Sequence, residues 1–307
     1  GLGLDWRKDS DLKGKVAQSD LIIINGEGTI HHNSNVGLNL VKLAKYAKMY
    51  NCKAYLINCT YQSNDALYVE YLKYFDGIYV RESKSQSELE LQGVKSIVVP
   101  DLTFYVKGHS SANLKKKGIL ITDSVRNEVS NKIYEVFNNE RDVTYSSIFD
   151  SGVHERRIPN IPTRIVNIFK RYSFSEISKK LLSMPKNKRG VNKSKLLNYQ
   201  YQSNHLEYEE FINGFESVVC GRFHTMTYCM KSEIPFVAIT SNSHKVEGVL
   251  EDIGLDLDRF CLNVDDFRKS NVNYDFSKDE LSKIRAYNLK AIEKIDEMFS
   301  EVLSDNT

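Results

Sequence analysis

The sequence predicts an α/β protein built as two sheet-based units, and three observations carry that expectation. Short continuous apolar runs alternate with segments of helical periodicity, the alternation restarts after a polar stretch at Lys107–Lys117, and a long helical segment ends the chain. Runs such as Leu21–Ile24 lack polar/apolar alternation, the pattern of strands buried on both faces of a parallel sheet.

In order, the first unit reads as strand Leu21–Ile24, helix Leu38–Tyr50, strand Ala54–Ile57, helix Leu67–Phe75, strand Gly77–Val80, helix Ser83–Leu91 and strand Ser96–Val99, with Pro100 as punctuation. Apolar Leu40, Leu43, Ala44 and Ala47 mark the first helix. The second unit reads as strand Gly118–Ile121, helix Glu128–Phe137, strand Val143–Ile148, helix Leu206–Phe215, strand Ser217–Cys220, helix Phe223–Lys231, strand Phe236–Thr240 and helix Lys245–Ile253. Repeated βα units imply parallel sheets covered on both faces. The expected organisation is an N-terminal α/β domain over 1–107, a C-terminal α/β domain over 118–277 interrupted by a basic insertion at 154–195, and a closing C-terminal helix over 278–307. That is two Rossmann-like domains facing a cleft, a glycosyltransferase-B-like arrangement in which ligands sit beyond the carboxyl ends of the strands.

Composition narrows the classes. An apolar share of 41%, a charged share of 27% and a formal net charge of +2 describe a soluble globular chain with no overall pull toward nucleic acid. No apolar run reaches membrane-spanning length, and Gly1–Asp20 lack the layout of a secretory signal. Five scattered cysteines, with Cys52 and Cys59 on either side of an apolar strand pattern, argue against a disulfide or zinc framework and for the cytoplasm.

Four segments carry candidate chemistry. Asn25-Gly26-Glu27-Gly28-Thr29, running into His31-His32, reads as a glycine-rich turn at a strand's end, where backbone N–H groups hold anions and Glu27 or the histidines move protons; a plain βα turn with exposed histidines is the alternative. In Cys220-Gly221-Arg222-Phe223-His224 a strand gives way to a helix whose first residues are cationic. Positive side chains there oppose the helix dipole and call for a compensating anion, either a ligand or a local carboxylate. Ser241-Asn242-Ser243-His244-Lys245 follows another strand; Ser241 or Asn242 suits a helix cap, while His244 and Lys245 add positive charge beside the sheet edge that carries Arg222. Arg81, in Val80-Arg81-Glu82-Ser83, either faces the same cleft or forms a surface pair with Glu82. Together these cations suit a small, multiply anionic donor and show no metal-ligand spacing.

The order D-L-I-I-I-N-G-E-G-T, R-E-S, V-V-P-D, V-V-C-G-R-F-H and I-P-F-V-A-I-T-S-N-S-H-K resembles the polysaccharide pyruvyl transferase family from about Asp20 to Gly254. The resemblance implies phosphoenolpyruvate as donor, a pair of sugar hydroxyls on a polysaccharide or lipid-linked saccharide as acceptor, and no cofactor. It places Arg222 and His224 at the donor with Arg81 and Lys245 as supporting cations, lines the cleft with Gly26, Gly28 and Thr29, and puts Asp101 at the domain junction. His224 would protonate the donor methylene, and Glu27 or His32 would accept hydroxyl protons. Family members usually open with an additional strand and an N-x-G-D loop, so a first βα unit is expected to be missing or cropped here. The rival readings are a nucleotide-sugar glycosyltransferase and a catalytically silent carbohydrate-binding protein.

The insertion is strongly basic: His154–Lys195 holds twelve Lys and Arg against Glu155 and Glu176, leaving the remainder of the chain net acidic. Apolar Ile165, Ile168 and Phe169 share helical spacing, so the segment either docks on its domain or lies on an anionic membrane surface.

Overall fold

The computed structural model describes residues 6–105, 116, 118–137, 142–148, 199–202, 205–267 and 275–304. The basic insertion lies outside the described residues. The chain divides into two compact units. One comprises Gly1–Gly108, Thr240–Cys261 and Phe276–Thr307, and the other His109–Ile239 and Leu262–Asp275. The chain therefore leaves the second unit at Ile239 and returns to the first, which the expected 118–277 boundary does not contain.

The first unit is a four-stranded parallel sheet in the order β1 (Leu21–His31), β2 (Lys53–Gln62), β3 (Gly77–Val80), β4 (Ile97–Val98). Helices α1 (Ser10–Ala17), α2 (Asn35–Lys48), α3 (Ala66–Leu72) and α4 (Ser83–Leu91) precede or join the strands. Each starts at a side-chain cap that satisfies an orphan N–H: Asp9, Ser34, Asp65 and Glu82 accept from Leu12, Gly37, Leu67 and Ser85. Buried Val41, Leu56, Tyr61, Tyr68, Leu72, Ile78 and Val80 form the core. Deleting one such aliphatic side chain down to alanine costs on the order of 2–5 kcal/mol.

The sequence placed a turn at Asn25–Thr29. Instead β1 runs through it as one 11-residue strand, paired with β2 from Leu21↔Lys53 to His31↔Gln62 and irregular between Glu27 and Ile30. The glycines serve close approach inside the strand: a Cβ at Gly26 would lie 2.9 Å from the Cβ of Cys59. Glu27 absorbs the irregularity at φ 48°, in the left-handed region.

Three later elements also belong to this unit: α8 (Lys245–Ile253), α9 (Leu257–Phe260) and the closing helix α10 (Lys278–Ser304). The buried stripe of α10, Ile284, Ala291, Ile295, Met298 and Val302, follows helical spacing. Tyr287 meets Phe104 edge to face, and Lys294 donates to the Val98 carbonyl at 2.9 Å.

The second unit holds β5 (Ile119–Thr122), α5 (Asn127–Val136), β6 (Val143–Ser147), β7 (Tyr199–Tyr201), α6 (His205–Ile212), β8 (Ser217–Cys220), α7 (Phe223–Lys231) and β9 (Phe236–Ile239). Its sheet runs β10-β9-β8-β5-β6-β7, where β10 is the edge pair Cys261–Leu262 at which the chain re-enters the unit. Strand pairs from β9 through β7 are all parallel. Ile121, Val129, Ile133, Phe137, Val219 and Val237 form its core. All five cysteines are unbridged.

Candidate functional site

In the first unit the carboxyl ends of three parallel strands converge on one place. β1 ends at His31, β2 at Gln62 and β3 immediately before Arg81, and the returning segment Ser241–Lys245 belongs to the same unit. Carboxyl ends are where open α/β sheets bind ligands. A cavity of about 750 Å³ lies elsewhere, beside Gly77 and Ile78 at the amino-terminal end of β3, and contains none of these residues.

Gly28 is the pivot. A Cβ built there would sit 3.3 Å from the Lys245 ammonium and 3.6 Å from Nη2 of Arg81, so the missing side chain lets both cations approach the strand backbone. Arg81 is 1% exposed and is held by Asp101, with Nη1 donating to Oδ2 at 2.8 Å, and by Thr60, whose Oγ1 accepts from Nε and Nη2. Asp101 also accepts from the N–H and hydroxyl of Thr103. The alternative of an Arg81–Glu82 surface pair thus gives way to a buried Arg81–Asp101 pair inside one unit. Lys245 is 7% exposed and donates to the neutral amide oxygen of Asn242 at 3.0 Å. Arg81 is thus fixed by a buried ion pair, and the Asn242 amide is one of the groups that hold the Lys245 ammonium.

The paired histidines are unequal. His31 is half-buried, its Nε2 3.5 Å from the Asn242 amide and its Nδ1 2.9 Å from Nδ1 of exposed His32. Burial, then the Lys245 and His32 charges, lower the pKa of His31 below the ordinary imidazole value; a hydrogen bond to the Gly28 backbone opposes this, and His244 adds a last lowering contribution. Its surroundings thus favour the neutral imidazole, the form able to accept a proton. Replacing Lys245 with glutamine removes a lowering charge, so the His31 titration followed by NMR is expected to move upward. A titration that stays in place would remove Lys245 from its surroundings.

Of the other expected residues, Glu27 is partly exposed and its Oε1 accepts from the Asn25 amide at 3.3 Å, while Thr29 donates to the Gly26 carbonyl at 2.6 Å. Neither Ser241 nor Asn242 caps α8. His244 is the cap residue, without a side-chain cap bond, and Ser241 donates instead to Asn242 at 3.1 Å. The buried hydroxyl of Ser243 has no hydrogen-bond partner.

The second unit holds the other cationic pair. Arg222 precedes α7 as its cap residue and forms a two-point pair with Asp123, Nε–Oδ1 2.8 Å and Nη2–Oδ2 2.7 Å. The compensating anion that the sequence demanded at this helix start is Asp123, the local-carboxylate alternative. His224 is half-buried in the first turn of α7, its ring edge-on to Phe223 at 5.6 Å. Lys245, expected beside Arg222 on one sheet edge, is instead in the first unit with Arg81.

Thr60 and Asp123 are partners that sequence reasoning missed, while Asp101 and Asn242 were named there in other roles, at a domain junction and as a helix cap. Among the described residues no group of three or more His, Cys, Asp or Glu is arranged to hold a metal ion, and no helix is long and apolar enough to cross a membrane.

Two units with parallel sheets, one of them presenting buried cations at its strand ends, define an α/β protein with a candidate anion-binding site. The family model for polysaccharide pyruvyl transferase matches residues 2–243, and the chain belongs to that family. A search of curated proteins gave no match.

Similar solved structures include a TarM mutant of S. aureus in complex with fondaparinux, alpha-GlcNAc-glycerol and UDP, at 14% identity and TM-score 0.44, covering 87% of this chain and 57% of that one. The Glycosylation Associate Protein (Gap123) complex of Streptococcus agalactiae matches at 12% identity and TM-score 0.49, covering 98% and 58%. Accessory secretory proteins 1, 2 and 3 of Streptococcus pneumoniae match at 10% identity and TM-score 0.45, covering 94% and 53%. This chain thus spans between half and three fifths of the length of those chains.

Proposed function

We propose that the chain is a ketal-forming pyruvyl transferase that takes phosphoenolpyruvate as donor and a pair of saccharide hydroxyls as acceptor. The observation that carries this reading is the approach of the buried Lys245 ammonium and Arg81 guanidinium to the Gly28 backbone. A small donor bearing phosphate and carboxylate fits such a place. The ammonium supplies charge, and the start of α8, which has no side-chain cap, supplies N–H donors and the positive end of a dipole. The buried Ser243 hydroxyl is a further donor suited to an oxyanion.

The chemistry balances without a redox partner. A proton is added to the donor's methylene carbon, one sugar hydroxyl attacks the adjacent carbon, and phosphate departs with the C–O bonding pair. The second hydroxyl then attacks the same carbon and closes the ketal. Fixed cations stabilise the leaving phosphate. His31, whose neutral form is favoured by burial and Lys245, joins exposed His32 as a candidate to accept a hydroxyl proton. Glu27 stays a further candidate base. The proposal of His224 as the acid, and of Arg222 beside it in turnover, rests on the family resemblance. A lipid-linked acceptor and an anionic membrane surface reached through residues 154–195 are proposals resting on the sequence alone.

Phosphate release from phosphoenolpyruvate with candidate saccharides, set against consumption of nucleotide sugars, tests the reading. Turnover of nucleotide sugars alone would replace it with a glycosyltransferase, and silence in both assays with a carbohydrate-binding role. Lys245→Ala removes one charge-assisted contact of about 1.5–3 kcal/mol. Phosphoenolpyruvate affinity measured by calorimetry should therefore fall roughly 10- to 150-fold. An unchanged affinity would eliminate Lys245 as a donor ligand.

A further inference from the structure

We infer that His244 is a positioning residue that acts through Lys245, its imidazole wedged between Glu82 and Glu88 of α4 so that the start of α8 is locked where the Lys245 ammonium reaches Gly28. This rests on the reading of Lys245 as a donor ligand.

Both ring nitrogens of His244 are turned to α4. Nε2 lies 3.4 Å from Oε1 of Glu82 and 3.3 Å from Oγ of Ser85, and Nδ1 lies 3.6 Å from Oε1 of Glu88. Glu82, Ser85 and Glu88 are three residues apart, so they share one face of the helix. The same residue is tied down through its backbone, whose N–H donates to Oε1 of Gln62 at 2.8 Å. The next side chain takes the other route, with the Lys245 ammonium on Asn242 and beside Gly28. One short segment therefore sends an imidazole to α4 and an ammonium to the site.

The surroundings explain why the wedge holds its place. Glu82 is fully buried, and its carboxylate is satisfied by the N–H and the hydroxyl of Ser85 as well as facing His244. One helical turn after His244, Gly248 packs directly on Glu82, where a Cβ would lie 2.7 Å from Oε2. Further along, Asp252 accepts from the Ser83 N–H at 3.0 Å and Lys84 pairs with Glu251 at 2.9 Å. The ionisable groups around the ring are thus Glu82 and Glu88 on α4, flanked by Lys84, Glu251 and Asp252. Lys245 is its neighbour in sequence, and His31 on β1 feels its charge. Gly248, Glu251 and Asp252 lock the body of α8. His244 locks its first turn, where Lys245 begins, so losing the ring releases the lysine without dissolving the helix pair.

The test uses the full chain with His244→Ala and His244→Gln, each alone and combined with Lys245→Ala. Calorimetry with phosphoenolpyruvate and steady-state kinetics are the readouts. His244→Ala is expected to raise Kd and KM about tenfold while kcat stays within about twofold. His244→Gln, which keeps a donor toward Glu82, should recover most of the loss. In the Lys245→Ala background His244→Ala should add nothing, because both substitutions remove the same interaction. Additive losses, or a fall in kcat at constant KM, would overturn the proposal.

The His31 titration supplies a readout that needs no ligand. His244→Ala should move it upward in the wild-type background, and by clearly less in a Lys245→Gln background, where only the field of His244 itself is lost. Equal movements in the two backgrounds would show that Lys245 has not been displaced and would reject the wedge. Failure of phosphoenolpyruvate to bind the unaltered protein, with this titration behaving as expected, would instead reject the donor reading and keep the positioning role.

Discussion

His224→Ala is expected to lower kcat by roughly 10²- to 10⁴-fold, the range contributed by a positioned general acid, with little change in folding. The imidazole is half-buried in the first turn of α7 and packs edge-on to Phe223. Removing it leaves both partners of the Arg222–Asp123 pair in place, so the far-UV spectrum should keep its native form while turnover is lost. Arg222 offers a poorer test. Its removal strands Asp123, which is mostly buried, and would mix a folding defect with any loss of turnover. Steady-state kinetics with circular dichroism on the same sample therefore decide the role of His224. A near-wild-type kcat would exclude it as the acid.

How much of this was legible beforehand depends on whether the information was local. The strands were, because continuous apolar runs such as Leu21–Ile24 and Phe236–Ile239 leave few other options, and the α/β class followed. The length of β1 was not. Asn25-Gly26-Glu27-Gly28 carries the residues of a turn, yet the chain stays extended because Gly26 lets it pack on Cys59 and Gly28 lets it meet Lys245. Both constraints come from residues far along the chain. β7 carried no periodic signal in its three residues Tyr199–Tyr201, and α1 went unread although Asp9 is a good cap.

The site shows the same division. Arg81, Arg222 and Lys245 could be picked out as cations after strands, since residue type and local pattern suffice. Their partners could not: Asp101 lies 20 residues from Arg81, and Asp123 lies 99 from Arg222. Nor did the pattern show that the chain changes units at Thr240, because a strand followed by a helix reads the same whichever sheet the helix covers. This crossing moved Lys245 and His244 from one set of neighbours to another, and with them the centre of the candidate site.

Arg81→Met is expected to destabilise the first unit by about 3–5 kcal/mol, the cost of leaving one partner of a buried ion pair uncompensated. Arg81 and Asp101 are each 1% exposed, so water cannot screen the carboxylate left behind. Asp101 would keep its bonds to the Thr103 N–H and hydroxyl, but these neutral donors do not balance its charge. Thr60, which accepts from two guanidinium nitrogens, would lose both donors as well. Asp101→Leu alone should cost a comparable amount by stranding the guanidinium. The double variant Arg81→Met with Asp101→Leu should recover most of the loss, because two apolar side chains of similar volume need no pairing. Urea denaturation of the four proteins, followed by hydrogen exchange at the β2 and β3 amides, reads the effect in the right unit. Additive losses in the double variant would show that each residue is held by other partners. The recovered variant also separates stability from chemistry: if it folds and still fails to bind phosphoenolpyruvate, the guanidinium beside Gly28 serves the ligand as well as the fold.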